Sequence, residues 1–590
     1  MIQFSPVART PAVDARCEHL DQARFGARLW RHDDTLWGDD PTVRAVAANR
    51  LGWLEVAERM RSETEGLRAF AAKVVADGFT HAVLLGMGGS SLAPEVLRLT
   101  LGVRPSGIEL AVLDNTSPAA VRAISGSHDP RRTLFVVSSK SGGTLEVASF
   151  EKYFFEWVRL ARGEETGRAF VAITDPGTPL EHLAQERGYR RTFANPPDIG
   201  GRYSALSFFG LVPAALIGAD LDALLSGALH EAAACGATVH ARENPGLLLG
   251  AALGELTLAG RNKLTLVLPP ALAALGGWIE QLIAESTGKN GRGIVPVTEE
   301  TLGGPEIYGR DRIFVAIQPE ALEADEAAKL ETITASGQAV LRWSRGPVAP
   351  AGDGAKPAPA SAAALAATLG GEFMRWEIAT ATAGAVMAVD PFDEPNVAEA
   401  KQATQAVLQK WLETGRIESP PPLARTGDLQ VFAPPAASAR LRPAAGAGPL
   451  AVAAAALGLG QPGDYFALLA YVHRTRERHA RLQKLRLGIR DATRLAATLG
   501  YGPRYLHSTG QLHKGGPNSG VFIQITADEG DDVPIPGERY GFATLRQAQA
   551  AGDYQVLERL GRRVVRVHLG VEIDRALDDL TVALDARVRV

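Results

Sequence analysis

Two short segments of this chain gather the residue types that hold an anion. In LLGMGGSSLAPEV (84–96) an apolar run ends in Gly86, Gly88, Gly89, Ser90 and Ser91, and a helical pattern follows. Glycine lets the backbone turn sharply and approach a ligand closely. A helix N-terminus adds free N–H groups and partial positive charge. In VVSSKSGGTLEV (136–147) a second apolar run ends in Ser138, Ser139, Lys140, Ser141, two glycines and Thr144. A simple helix cap needs one hydroxyl. Several hydroxyls and a lysine over so few residues instead make a polar cup suited to a single phosphate. The spacing is neither the dinucleotide pattern nor the P-loop.

Three further segments carry residues fit for proton transfer. DIGGRYSALSFFGLVP (198–213) sets Arg202 after Gly200 and Gly201. In GGWIEQLIAESTGKNGRG (276–293) the apolar residues Trp278, Ile279, Leu282 and Ile283 fit a helix stopped near Gly288. Gln281 and Glu285 then share one helix face, and a carboxylate there can be held near a substrate carbon. VDPFDEPNVAEAK (389–401) ends in Lys401. Each has a plainer reading when taken alone: a surface charge after a turn, a solvated helical glutamate, an exposed helical lysine.

The elements that must position these residues follow from periodicity. Residues 1–75 read as helical, with apolar residues at three- and four-residue spacing. Apolar runs at 80–86, 108–114, 133–139 and 169–175 read as strands alternating with helices, which predicts βαβ units and a parallel sheet. A second series, at 264–270, 312–318 and 339–344, predicts a second α/β domain. Residues 346–363 read as a linker, and the Pro- and Ala-rich stretch 418–450 as a surface wrap. A helix over 464–500, a strand at 520–526, a helix and a strand at 563–570 complete the chain. The expected fold class is α/β: two doubly wound parallel-sheet domains (76–240 and 241–415), an N-terminal helical segment (1–75) and a C-terminal linker and α/β extension (416–590).

Composition narrows the function class. The chain has 590 residues, 46% hydrophobic and 22% charged, with net charge −4, an ordinary globular balance. No basic stripe of the kind nucleic-acid binding needs is visible, and Arg474–Arg490 reads as a solvated helix face. Cys17 and Cys235 lie far apart and give no disulfide framework. MIQFSPVART lacks an apolar h-region, and the charge-free stretch 443–463 is Ala- and Gly-rich and broken by Pro449, a poor membrane span. A cytoplasmic protein without a membrane segment is expected. No metal site is expected either. His507 and His513 lack carboxylates at ligand spacing, and His473, Glu477 and His479 lie in a basic helix.

The pair G-x-G-G-S and S-K/R-S/T-G-x-T, one strand–helix unit apart, resembles the sugar isomerase (SIS) domain, whose members bind sugar phosphates at these loops. The resemblance implies Gly89, Ser90, Ser139, Lys140, Ser141 and Thr144 as phosphate-binding residues. The 198–213 segment is similar to the VGGR motif of glucose-6-phosphate isomerases, and 276–293 to their QLxxES signature. Residues 389–401 are similar to their NSFDQxGVExGK signature, with Glu394 in place of the usual glutamine and Pro395 after it. By this resemblance Glu285 is the general base, Arg202 lies beside the reacting carbons, Gly201 and Gln281 line the sugar, and Lys401 assists ring opening.

Members of that family also carry a ring-opening histidine between the Glu and Lys signatures, supplied by the neighbouring subunit. None occurs between Glu285 and Lys401 here. The candidates are His507 and His513 in HSTGQLHKGG, a Gly-rich polar loop of the kind that often carries function. His513 is favoured, because GQLHKGG reads as a turn presenting a side chain. The matches run in the family's order over residues 80–401. The segment YGPRYLHSTGQLHKGGPNSGVFIQI (501–525) resembles the isomerase half of bifunctional transaldolase/glucose-6-phosphate isomerases. The N-terminal helical segment is too short for a (β/α)₈ barrel of about 200 residues or more.

What the resemblance implies is metal-independent, cofactor-free interconversion of glucose 6-phosphate and fructose 6-phosphate through a cis-enediol(ate), as a homodimer, with a separate transaldolase as a further partner. The alternatives are a dual phosphoglucose/phosphomannose isomerase, or an SIS module that senses a sugar phosphate without chemistry.

Overall fold

The computed structural model describes residues 2–318, 322–344 and 361–588. The chain opens with a short strand, β1 (Ile2–Phe4), followed by helices to Ala76. The first α/β unit contains β2 (His81–Gly86), β3 (Glu109–Leu113), β4 (Thr133–Ser138), β5 (Phe170–Thr174) and β6 (Arg191–Ala194). They form a parallel sheet in the order β3-β2-β4-β5-β6. The second unit contains β7 (Lys263–Val267), β8 (Val295–Val297), β9 (Arg312–Gln318) and β10 (Ala339–Ser344), parallel in the order β8-β7-β9-β10. β1 closes its edge antiparallel to β10, Gln3 opposite Arg342. Residues 1–75 are therefore not helical throughout: the chain start joins the second sheet.

The extension is a third unit of the same kind. A hairpin of β11 (Ala424–Thr426) and β12 (Leu429–Phe432) precedes β13 (Tyr465–Tyr471), β14 (Ala496–Tyr501), β15 (Gly520–Thr526) and β16 (Arg563–His568). The sheet order is β11-β12-β16-β15-β13-β14, parallel from β16 to β14. The stretch 464–500, expected to be helical, is strand, helix (Arg476–Thr493) and strand. The reason is burial: all seven residues of YFALLAY are buried, so the run lacks the alternation that marks a half-exposed strand. The stretch 418–450 supplies the edge hairpin and a helix, Pro435–Ala445, rather than a wrap. Of the expected linker 346–363, residues 346–360 lie outside the described residues.

The core follows from strands buried on both faces. Leu84, Leu85, Phe135, Val136, Phe170 and Val171 are fully buried between helix layers, as expected for parallel sheets. The helix Ala362–Met387 is buried along nearly all its length and packs on helices Leu221–Ala234 and Pro245–Leu258. Among the described residues no helix is long and apolar enough to cross a membrane.

Candidate active site

The Gly-rich turn after β2 is the hub, because it lies where backbones nearly touch. A Cβ on Gly89 would sit 2.1 Å from the Gly201 carbonyl oxygen. Gly88, at φ +54°, would place one 2.7 Å from the His507 carbonyl oxygen and 3.0 Å from Gln281 Nε2. Three segments far apart in sequence are thus drawn onto one turn. Ser90 is buried, and its carbonyl accepts a bond from Ser138 Oγ at 2.9 Å. The two Gly–Ser turns are thereby tied together.

The second turn opens the helix Leu145–Arg162, with Thr144 at its N-cap. The Ser139 and Thr144 hydroxyls lie 3.1 Å apart, Gly142 takes φ +65° and Ser141 is exposed. Lys140 does not stand free over this cup. Its ammonium is paired with the Asp175 carboxylate and donates to the Pro197 carbonyl at 3.2 Å.

Glu285 lies on the buried helix Leu275–Thr287, as its spacing predicted. One of its oxygens accepts from Gln281 Nε2 at 3.0 Å, and the other lies 3.8 Å from Arg202. Burial pushes its carboxyl up to about 7, against the pull of Arg202; the nearby Glu394 charge adds to the rise. Burial disfavours the charged form, and a like charge does the same.

Arg202 is itself buried and held on every side. It donates to Ser286 Oγ (2.8 Å), Glu394 Oε2 (2.9 Å), the Pro391 carbonyl (2.7 Å) and the Asp393 carbonyl (2.9 Å). Lys289, from the same signature as Glu285, pairs with Asp393 at 2.5 Å and donates to the Asp390 carbonyl. Burial lowers its ammonium to about 8. The GGR turn, the Glu285 helix and the 389–394 turn thus form one charged network under the two Gly–Ser turns.

The two candidate histidines part company. His507 Nε2 lies 2.9 Å from Glu146 Oε1, and Gln549 Nε2 donates to the same oxygen at 2.7 Å. The His507 carbonyl accepts from Gln281 at 2.9 Å. Lys401 is on the helix Pro395–Thr414 and faces a cavity of about 60 Å³ that it shares with Gly143, Glu146, His507 and Gln549. His513 is elsewhere. It is buried in the helix Gly510–Gly515 among Tyr465, Tyr505 and Phe522, the last ring 5.0 Å away. Burial drives its imidazole well below the usual range, so it stays neutral within an apolar cage. Of the two histidines the sequence offered, the structure brings His507 to Glu146 and the Lys401 cavity and buries His513 among aromatic rings.

Glu146, Gln549, Ser286 and Lys289 escaped the sequence reading. Glu146 had a signal. A carboxylate in a first helical turn suits the helix dipole, but one buried there calls for a hydrogen-bond partner. The partner is His507, 361 positions away.

The sequence model of the phosphoglucose isomerase family matches residues 44–310. A glucose-6-phosphate isomerase of Thermus thermophilus is 33% identical over 310 residues, covering 50% of this chain and 72% of the relative. One of Rubrobacter xylanophilus is 32% identical over 413 residues, covering 62% and 92%. A solved structure, a hypothetical protein of Thermus thermophilus, superposes with TM-score 0.57 at 26% identity, over 69% of this chain and all of its own. With the signature residues gathered around Glu285 and Arg202, the chain belongs to the phosphoglucose isomerase family.

Proposed function

We propose that Glu285 is the base of the reaction, with Arg202 as its electrostatic partner. The chain is an aldose–ketose isomerase that interconverts glucose 6-phosphate and fructose 6-phosphate, a step of glycolysis and gluconeogenesis. The observation that carries the assignment is the 3.8 Å approach of Arg202 to a buried carboxylate held at about 7. A general base works best with its pKa near the operating pH.

In this reading the phosphate sits at Gly89, Ser90, Ser139, Ser141 and Thr144, where two helix N-termini point. Lys140, paired with Asp175, sets the local charge at one side of that cup. The sugar runs from the cup past Gly201 and Gln281 toward Glu285. His507, backed by Glu146, and Lys401 serve the ring oxygen and the C1 hydroxyl during opening. Glu285 then removes the C2 proton and returns it to C1. Negative charge grows on the enediolate oxygen as the proton leaves, and the fixed Arg202 guanidinium is positioned to meet it without reorganising. Glu285, as the conjugate acid, holds the carbon proton between the two transfers, and the O2 hydroxyl proton passes to O1 at the cis-enediol(ate), so atoms balance without a cofactor.

A sensing module without chemistry has no use for a buried carboxylate poised at about 7. Cytoplasmic location, a homodimeric state and docking of a separate transaldolase belong to the same proposal. The likeness of 501–525 to the isomerase half of the bifunctional enzymes supports the last of these. The test is a coupled assay of fructose 6-phosphate conversion on the native chain and on Glu285→Gln. The variant keeps shape and loses the base, so kcat should drop by at least about 10²-fold. A variant with native kcat removes Glu285 from the role. Co-elution with a transaldolase tests the docking.

A further inference from the structure

The third sheet repeats the plan of the other two. Number the parallel strands of each unit by chain order, and all three contain the order 2-1-3-4: β3-β2-β4-β5, to which β6 adds a fifth strand, β8-β7-β9-β10 and β14-β13-β15-β16. In the first unit, the ends of strands 1 and 3 carry the Gly–Ser turns. In the third unit the matching turns are Val472–Thr475 after β13 and Ala527–Asp532 after β15. That place is already filled by the chain's own anion. The Glu529 carboxylate accepts from the His473 backbone N–H, from Arg546 and from Ser117 Oγ, the last at 2.7 Å.

What the third unit does is reach into the site of the other two. Its crossover between strands 2 and 3 brings His507 onto Glu146 and onto Gln281. The same crossover sends Gln511, fully buried, to the Gly288 carbonyl at 3.0 Å and to Asn396 at 2.9 Å. It thereby ties the end of the Glu285 helix to the start of the Lys401 helix. Its next helix (Phe542–Arg559) supplies Gln549 to Glu146 and stacks Phe542 on Phe150 at 5.7 Å. The contact is a continuous core: Ala284, Val295 and Val297 share one apolar cluster with Tyr465, Tyr505 and Phe522. A buried carboxylate, Glu300, bonds Arg312 at 3.0 Å and Arg490 of the third unit at 3.1 Å.

We infer that the third unit is a resident donor: a copy of the repeat that has given up its own anion cup and completes the isomerase site within one chain. Each chain then carries a whole site, and no residue of another copy enters it. This rests on the isomerase reading and on His507 serving ring opening.

Complementation between chains tests it. Glu285→Gln and His507→Gln are placed on differently tagged copies, co-expressed, and purified through both tags where they associate or mixed where they do not. The expected result is that fructose 6-phosphate conversion stays at the residual level of the single variants. If sites were shared between copies, one site of each mixed dimer would hold both intact residues, and activity would return to about half of native. That recovery overturns the inference, and so does a His507→Gln chain with native activity. Should that variant misfold, dilution of the native chain decides: activity per chain should hold constant from about 1 μM to about 1 nM, and loss as copies separate overturns the inference. A native chain inactive on fructose 6-phosphate would instead overturn the isomerase reading itself.

Discussion

Nε2 of His507 lies 2.9 Å from Oε1 of Glu146, and the two residues come from the third and the first α/β units, 361 positions apart. The pair is largely enclosed, and Gln549 fixes the same carboxylate oxygen from a third direction. The Glu146 carboxyl is pulled below its usual range by His507 even though burial pushes it up. A carboxylate so held orients the ring. His507→Ala should therefore reduce kcat on the cyclic sugar by about 10²-fold. His513→Phe keeps an aromatic side chain in the cage of Tyr465, Tyr505 and Phe522 and should leave kcat within about threefold of native, since an apolar swap in a core disturbs packing rather than chemistry. Parallel assays of both variants check this; equal losses would return His513 to the site.

Glu394 stands where the family signature has glutamine, and its charge bears on Glu285 through space and through Arg202. Glu285 must be ionised to act, so kcat/KM should fall as pH drops through about 7, the value burial imposes on it. Glu394→Gln removes a negative neighbour that raises the Glu285 pKa, and it leaves Arg202 with one fewer carboxylate to serve. Both effects favour ionised Glu285. The acid limb of the pH–rate profile should move to lower pH, and a limb that stays or moves up would show that Glu394 does not face Glu285 in solution.

Gly89 is set by close approach. A methyl there would sit 2.1 Å from the Gly201 carbonyl oxygen, against backbone that cannot give way. Gly89→Ala should push the two turns apart, cost about 1–3 kcal/mol of stability as overpacking does, and raise KM for the sugar phosphate more than it lowers kcat at saturation. Denaturant melts and steady-state kinetics measure both. An unchanged KM would mean that the turn does not hold the phosphate.

How much of this the sequence showed depends on the range of the interaction. The face shared by Gln281 and Glu285 was legible, because four residues in a helix is a local rule, and the bond of 3.0 Å realises it. The two Gly–Ser turns were legible because glycines and hydroxyls cluster at strand ends. The Lys140–Asp175 pair was not, because a lysine in a Gly–Ser turn reads as an anion ligand until a carboxylate 35 residues away claims it. The choice between His507 and His513 was beyond local reading as well. Both lie in one polar stretch, and what separates them is that residues of the distant strands β13 and β15 pack beside His513, whereas Glu146 and Gln281 meet His507. The third unit was half seen: β15 and β16 stood out, whereas β13 and β14 vanished into a longer apolar pattern for want of alternation.

Arg202 offers the sharpest test of electrostatic preorganisation. Its guanidinium spends Nε on Ser286, one terminal nitrogen on Glu394, and the other on two carbonyls of the 391–393 turn, all between 2.7 and 2.9 Å. A lysine keeps the charge but has a single nitrogen on a flexible stem and cannot span these partners. Arg202→Lys should therefore lose the fixed geometry rather than the field. The 391–393 carbonyls would lie buried and unbonded, and the positive charge would have to reorganise as the enediolate forms. Removal of one preorganised oxyanion donor costs about 10²–10³-fold in kcat, and the lysine variant should fall in that range. Its KM should change by less than about threefold, because none of the residues this side chain hydrogen-bonds belongs to the proposed phosphate turns. Steady-state kinetics separate the two parameters. A variant with native kcat and a raised KM would place Arg202 in ground-state binding and leave the developing charge to the turn dipoles alone.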